Sequence, residues 1–354
     1  MKVLQVASSL KDWGGIERYV AFLAEGLIAR GIDTVVVCPD ESPLSKRVPS
    51  HQVSFLNRAQ YSMRTLIAFK RIAQMESPDI AHIHFSPDFI MPARAIRARS
   101  HAKVVMTRHL VLPWSASKVR RYTGLFDHII PVSEAVQRKL AESGVPARMM
   151  TVAKAGVPAP QILSQSVPDR EDLVIGCFGR LVAEKGVDVL LRAIKNLAKV
   201  RVEIYGDGPA LSQLRDLADS LNLRDRVNFN GYVSDVWPAM SAVDAVCVPS
   251  VWEEAFPYSV LEAMAIGKPV IASIAGGLPE VVVDRETGRL FGKGNAEELS
   301  MVLDELQSHR EFLDPWGRRA QELHVLEYTV ERMAERIENV YRKVLDQCPT
   351  DGTQ

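Results

Sequence analysis

The sequence predicts an α/β protein made of two Rossmann-like, doubly wound domains facing a central cleft. Three observations predict it. The chain has 354 residues, too many for one ordinary core and enough for two domains. Short apolar runs alternate with amphipathic stretches along its whole length, the pattern of right-handed βαβ units. Several runs are apolar at every position, as parallel strands covered on both faces are.

The elements follow in order. In the first half the strand candidates are residues 3–7, 34–37, 80–83, 104–107 and 128–131. In the second half they are residues 174–178, 202–205, 227–229, 245–248 and 269–272. Amphipathic segments at 16–30, 64–75, 134–143, 187–198 and 209–221 fit helices between them. Residues 156–170 are rich in Pro, Ser and Gln and have little helical pattern, so they read as a linker. The expected domains are therefore 1–163 and 164–329. The final segment, 328–345, repeats Met333, Ile337 and Val340 at helical spacing. A helix over about 330–354 can pack back on the first domain.

Composition narrows the function classes. Lys plus Arg equals Asp plus Glu at 43 each, which gives no support for nucleic acid as a partner. Hydrophobic residues at 47% and charged residues at 24% are ordinary for a globular chain. Cys38, Cys177, Cys247 and Cys348 form no C-x-x-C pair, and three lie in apolar runs. They read as reduced core residues of a cytoplasmic protein. Residues 1–7 read as a short strand with no signal-peptide apolar region, and no run of about 18 apolar residues occurs to span a membrane.

In doubly wound sheets ligands bind beyond the carboxyl ends of the strands, and the notable motifs all follow strands. The strongest runs from Pro249 to Val270 and contains Glu254 and Glu262. Pro257 fits the first turn of a helix that Gly267 ends. Glu262 then lies inside the helix and Glu254 in the loop before it. Eight residues at about 1.5 Å each span roughly 12 Å, comparable to a ribose–diphosphate–sugar unit. A carboxylate accepts two hydroxyl hydrogen bonds, so Glu262 can hold a ribose diol and Glu254 a hexose. The helix N-terminus between them suits a phosphate. Two solvated helix-end glutamates are the alternative at this spacing.

The segment from Phe178 to Gly186 carries Arg180 and Lys185 directly after a strand. Two cations beside a diphosphate offset charge on a departing phosphate; a surface pair of Arg180 with Glu184 is the plainer reading. Trp13-Gly14-Gly15 precedes a helix, and paired glycines let backbone approach a ligand. His109 ends the run Met106-Thr107-Arg108-His109, and as a strand-end residue it can also simply cap the sheet. His82 and His84 alternate on another strand; a metal pair would need a third ligand that the spacing does not supply, so they read as structural or cleft-lining.

The run Glu254-Ala255-Phe256-Pro257 through Leu261-Glu262-Ala263-Met264-Ala265 and Gly267-Lys268-Pro269-Val270 resembles the signature of the GT-B retaining glycosyltransferases, family four. Gly276-Gly277-Leu278-Pro279-Glu280 continues the likeness, and the match extends over nearly the whole chain. The resemblance implies a metal-independent, retaining glycosyltransferase with no cofactor beyond its nucleotide-diphosphate-sugar donor, expected to be a UDP-sugar. It implies that Arg180 and Lys185 bind the diphosphate and that Gly14 and Gly15 touch it, with Gly15 the closer. It puts His109 beside the transferred hexose and the backbone near Tyr232 at the base. Phe256 and Pro257, between the two glutamates, belong with the donor contacts.

The chain departs from many relatives at Ala255 and Pro257, where Gly is common, and Pro257 removes one N–H donor from the phosphate side. Tyr205-Gly206-Asp207-Gly208-Pro209 mimics part of a dinucleotide fingerprint, but Leu211 stands where its last Gly belongs. No Asp-x-Asp metal motif occurs. A nucleotide-sugar epimerase and a non-catalytic nucleotide-sugar-binding protein are the alternatives. Basic residues at Arg94, Arg97 and Arg99, and at Lys118, Arg120 and Arg121, suit a saccharide or lipid-linked acceptor and a peripheral contact with the inner face of a membrane. Ordinary solvated helix faces are the alternative there. The acceptor expected is one of cell-surface polysaccharide, lipopolysaccharide or glycolipid synthesis.

Overall fold

The computed structural model describes residues 1–7, 14–39, 42–53, 63–84, 90–160 and 171–346. Contacts divide the chain into two compact units, Met1–Gly156 with Val330–Gln354, and Val157–Thr329. Trp13, Cys348 and linker residues 161–170 lie outside the described residues.

The first unit contains β1 (Lys2–Val6), α1 (Gly15–Ala29), β2 (Asp33–Pro39), β3 (Ser50–Val53), α2 (Met63–Glu76), β4 (Ile80–Ile83), α3 (Met91–Arg97), β5 (Lys103–Arg108), α4 (Ala116–Thr123), β6 (His128–Pro131) and α5 (Glu134–Glu142). Its sheet has the order β3-β2-β1-β4-β5-β6 and every pairing is parallel. The second unit contains β7 (Leu173–Phe178), α6 (Val187–Ala193), β8 (Val200–Tyr205), α7 (Leu211–Ser220), β9 (Val227–Gly231), α8 (Trp237–Ser241), β10 (Ala245–Val248), α9 (Tyr258–Ala265), β11 (Val270–Ser273), β12 (Gly288–Phe291), α10 (Ala296–Ser308) and α11 (Leu313–Glu327). Its sheet runs β12-β11-β10-β7-β8-β9, also parallel throughout. Counted within its own unit, each sheet has the doubly wound order 3-2-1-4-5-6. Each is thus Rossmann-like, as the alternation predicts. The switch points fall between β1 and β4 and between β7 and β10.

Apolar runs mark five strands in each half of the sequence, whereas each sheet has six among the described residues. The two that no such run marks are the edge strands β3 and β12. Ser-His-Gln-Val has one apolar residue, and Gly-Arg-Leu-Phe is too short and mixed to stand out; an edge strand needs little apolar signal because one side is unpaired. The central strands are the opposite case. All residues of β7 and β10 are buried. At ~1.5–3 kcal/mol for a buried Val or Leu side chain, such strands supply much of the second unit's core.

The last helix, α12 (Val330–Asp346), returns to the first unit and packs on α1. Met333, Ile337, Val340, Tyr341 and Val344 are buried along one face. Two polar ties fix its register: Arg30 Nε donates to Glu338 at 2.6 Å, and the Tyr341 hydroxyl lies 2.6 Å from His82 Nδ1. Arg342 first, then Arg30, hold the Glu338 carboxyl below its ordinary range. Among the described residues, no helix is long and apolar enough to cross a membrane.

Candidate active site

At the second unit's switch point three loops converge beyond β7, β10 and β11. The loop after β7 carries Arg180, then a 3-10 turn, Ala183–Lys185. Gly186 ends that turn in the left-handed region at φ 63°. A Cβ there would fall 2.0 Å from the carbonyl oxygen of Pro249, so only glycine lets the β7 loop lie this close to the β10 loop. The Glu184 carbonyl accepts N–H bonds from Val251 at 3.0 Å and Trp252 at 3.3 Å. Together these contacts place the segment before Glu254 directly against Lys185.

The β10 loop is held equally firmly from its other side. Gly277 N–H donates to the Glu254 carbonyl at 2.7 Å, and Gly276 N–H donates to Glu253 Oε2 at 2.6 Å. Gly276 has φ 58°, and a Cβ on it would lie 2.1 Å from the Glu254 carbonyl oxygen. Lys293 pairs with the other oxygen of Glu253. No local pattern in the sequence marks Glu253, Gly276 or Lys293 as holding this loop.

Within this frame Lys185 Nζ donates to Glu254 Oε1 at 2.6 Å, and Ser250 Oγ donates to the same oxygen at 2.6 Å. The Lys185 side chain is about one third exposed, at 34%, and that of Glu254 only 12%. The structure therefore brings together two residues that the sequence motifs carry separately. Arg180 is exposed on the same loop. Among the described residues it makes no ion pair with Glu184, so the plain surface-pair reading of those two does not hold.

Glu262 lies in α9 and is 3% exposed, while Glu254 lies in the loop before it, as the motif predicts. Pro257 is the N-cap, one position before the helix rather than in its first turn, with extended backbone at φ −77° and ψ 130°. Its missing N–H costs the helix nothing there. The Phe256 ring is buried and packs on Tyr328 at 5.7 Å between centroids. Tyr232, just after β9, is 69% exposed. The loops after β7, β8 and β9 are stitched together by Gly179 N–H to the Tyr205 carbonyl at 3.0 Å and Gly206 N–H to the Gly231 carbonyl at 2.7 Å.

In the first unit, Gly14 caps α1 and its N–H donates to Glu17 Oε2 at 3.0 Å. Gly15 opens the helix, where backbone N–H groups have no partner within the helix. Beyond β4 and β5 a set of aromatic and imidazole rings gathers. Tyr19 meets His109 edge-on at 4.7 Å, and His82 lies 4.1 Å from His84. His82 uses both ring nitrogens, on Tyr341 and on Thr107 Oγ1 at 2.6 Å, which makes its role structural. Burial, and then the neighbouring His109, push His82 down to about 3. Burial, and then Arg108, push His109 down to about 3. His109 is therefore a neutral imidazole at neutral pH, and among the described residues its Nε2 has no hydrogen-bond partner.

Residues 13–159 match the model of Glycosyltransferase Family 4, and residues 160–323 match Glycosyl transferases group 1. The putative colanic acid biosynthesis glycosyltransferase WcaL of Salmonella typhimurium is 26% identical over 71% of this chain and 68% of its own length. The lipopolysaccharide core biosynthesis glycosyltransferase LpsD of Rhizobium meliloti is 37% identical over 38% of this chain and 39% of its own. Among solved structures, Anabaena Alr3699/HepE in complex with UDP and glucose superposes with a TM-score of 0.84 at 21% identity, covering 97% of this chain and 99% of that one. With two parallel doubly wound sheets, two adjoining family models and this likeness of fold, the chain belongs to the family 4 glycosyltransferases of the GT-B fold.

Proposed function

We propose that this protein transfers a hexose from a nucleotide-diphosphate-sugar, a UDP-sugar, to a saccharide or lipid-linked acceptor with retention at the anomeric carbon and without a metal ion. The observation that carries the proposal is the Lys185–Glu254 pair, fixed at the switch point beside α9. A cation and a carboxylate in contact there suit a ligand with phosphate at one end and hydroxyls at the other. Arg180 and Lys185 bind the diphosphate, Glu262 the ribose and Glu254 the hexose. The base meets backbone near Tyr232.

In the reaction the bond from the anomeric carbon to the diphosphate oxygen breaks as the acceptor oxygen bonds to that carbon. The acceptor's proton passes to the departing phosphate. Charge developing on that phosphate is stabilised by Arg180 and Lys185, in place of a divalent cation. Glu254 and Glu262 act in donor binding, so the acid–base pairing of glycosidase carboxylates does not apply. His109, neutral and with an Nε2 that has no partner among the described residues, suits a hydrogen bond to a sugar hydroxyl.

The names of WcaL and LpsD support a role in cell-surface polysaccharide or lipopolysaccharide synthesis. Leu110 and Leu112 are exposed just before α4, which itself exposes Lys118, Arg120 and Arg121. Apolar side chains beside unshielded cations support a peripheral contact with an anionic inner membrane surface. A thermal-shift screen of UDP-, GDP- and ADP-sugars tests the donor; at a hundredfold excess over Kd the ligand stabilises by about 2.7 kcal/mol. Lys185→Ala is expected to abolish transfer while keeping its circular dichroism. Near-normal turnover in that folded variant refutes the proposal.

A further inference from the structure

Ser250 lies two residues beyond β10 and is fully buried. Its hydroxyl donates to Glu254 Oε1 at 2.6 Å, and its own carbonyl accepts from Ser273 Oγ at 2.6 Å. Ser273 is the last residue of β11 and is likewise fully buried. A chain of fixed groups thus runs from the end of β11, through Ser250, to one oxygen of Glu254. That oxygen also accepts Lys185. The backbone of Glu254 is pinned separately by Gly277. The carboxylate therefore has two anchors of different kinds: a mobile cation on a long stem, and a buried hydroxyl on a short one.

The difference matters when a diphosphate arrives. Phosphate oxygens compete for the Lys185 ammonium, whose four-carbon stem lets it turn toward them. Were Lys185 the only anchor, Glu254 would be free to rotate at that moment. Ser250 has one side-chain torsion, and its buried hydroxyl has no solvent to turn to. Resting on the donor-binding reading given above, we propose that Ser250 is a positioning residue: it clamps Oε1 of Glu254 so that Oε2 stays aimed at the sugar hydroxyls after Lys185 has gone to the diphosphate. Ser250 therefore acts on recognition of the sugar, through Glu254, and leaves recognition of the nucleotide alone.

The test is calorimetric binding of UDP-glucose and of UDP to the wild type, Ser250→Ala, Ser250→Thr, Glu254→Ala and the Ser250→Ala/Glu254→Ala double variant, each checked by its melting curve. Ser250→Ala is expected to weaken UDP-glucose about tenfold, the scale of one charge-assisted hydrogen bond, and to leave UDP within about twofold. Ser250→Thr, which keeps the hydroxyl, restores the preference for UDP-glucose. In the Glu254→Ala background, adding Ser250→Ala changes the ratio of the two affinities by less than about twofold, because the side chain through which Ser250 acts is already gone. Equal weakening of both ligands, or a full tenfold effect that persists without the Glu254 carboxylate, overturns the positioning role while leaving the donor reading intact. Failure of the wild type to bind either ligand overturns both.

Discussion

Lowering the pH from 7 to 5 is predicted to loosen the first unit through His82. The side chain is fully buried between β5 and α12, with Thr107 on one ring nitrogen and Tyr341 on the other. The His84 ring lies 4.1 Å away, tilted by 40°, and His109 adds a second titratable ring. In the folded protein His82 takes a proton only near pH 3. In the unfolded chain it does so near pH 6.5. The folded value is the lower one, so the unfolded state binds the proton first, and stability falls as pH drops below about 6.5 until the folded value is reached. Between pH 7 and pH 5 the unfolded state gains about 1.4 pK units of proton binding. That corresponds to ~2 kcal/mol, or about a 25-fold rise in the opening equilibrium, from this residue. His84 and His109 are pushed in the same direction.

Hydrogen exchange followed by mass spectrometry reads the two units separately, once intrinsic exchange is corrected for pH. Peptides from β4 and α12 should lose protection by at least the His82 increment. His82→Gln destabilises at pH 7, since it disturbs two buried hydrogen bonds, but it cannot titrate. Its further loss between pH 7 and 5 should be smaller than that of the wild type by about 25-fold in the opening constant. Parallel pH slopes in the two proteins would refute the assignment of this sensitivity to His82.

Three further outcomes are expected. Gly186→Ala places a methyl group 2.0 Å from a backbone oxygen at φ 63°; it should cost more than about 2 kcal/mol in the second unit and impair donor binding, both read by melting with and without UDP-glucose. Tyr341→Phe leaves His82 Nδ1 without its partner and should cost about 1–3 kcal/mol, visible as faster exchange in α12 while the second unit is unchanged. Reversing Lys118, Arg120 and Arg121 to Glu should abolish flotation with anionic vesicles, each cation being worth about 1 kcal/mol near such a surface, and flotation unaffected by the reversal would remove α4 from the proposed membrane contact.

Most of the fold is legible in the sequence because buried parallel strands leave a strong local signal. Five strands of each sheet announce themselves as apolar runs, and α12 by the spacing of Met333, Ile337 and Val340. What escapes is what local hydropathy does not encode. The edge strands β3 and β12 need no continuous apolar run. The start of α10 is marked by Asn295, whose side chain accepts from Glu298 N–H at 3.0 Å, a cap that hydropathy does not register.

The site divides along the same line. Arg180, Lys185, Glu254 and Glu262 are visible as residue types at a spacing. The contact between Lys185 and Glu254 is not, because it joins residues 69 apart on loops after β7 and β10. Those strands are neighbours only because the sheet reverses its order there. Their loops can touch only because Gly186 has no Cβ to strike Pro249. The motif supplies the charges, and the topology decides that they meet. Ser250 follows the same logic: serine beside proline after a strand carries no chemical signal, and its significance comes wholly from what the fold sets 2.6 Å from its hydroxyl. A substitution at Ser250 therefore probes the geometry of this site, where a substitution at Lys185 or Glu254 probes its charge.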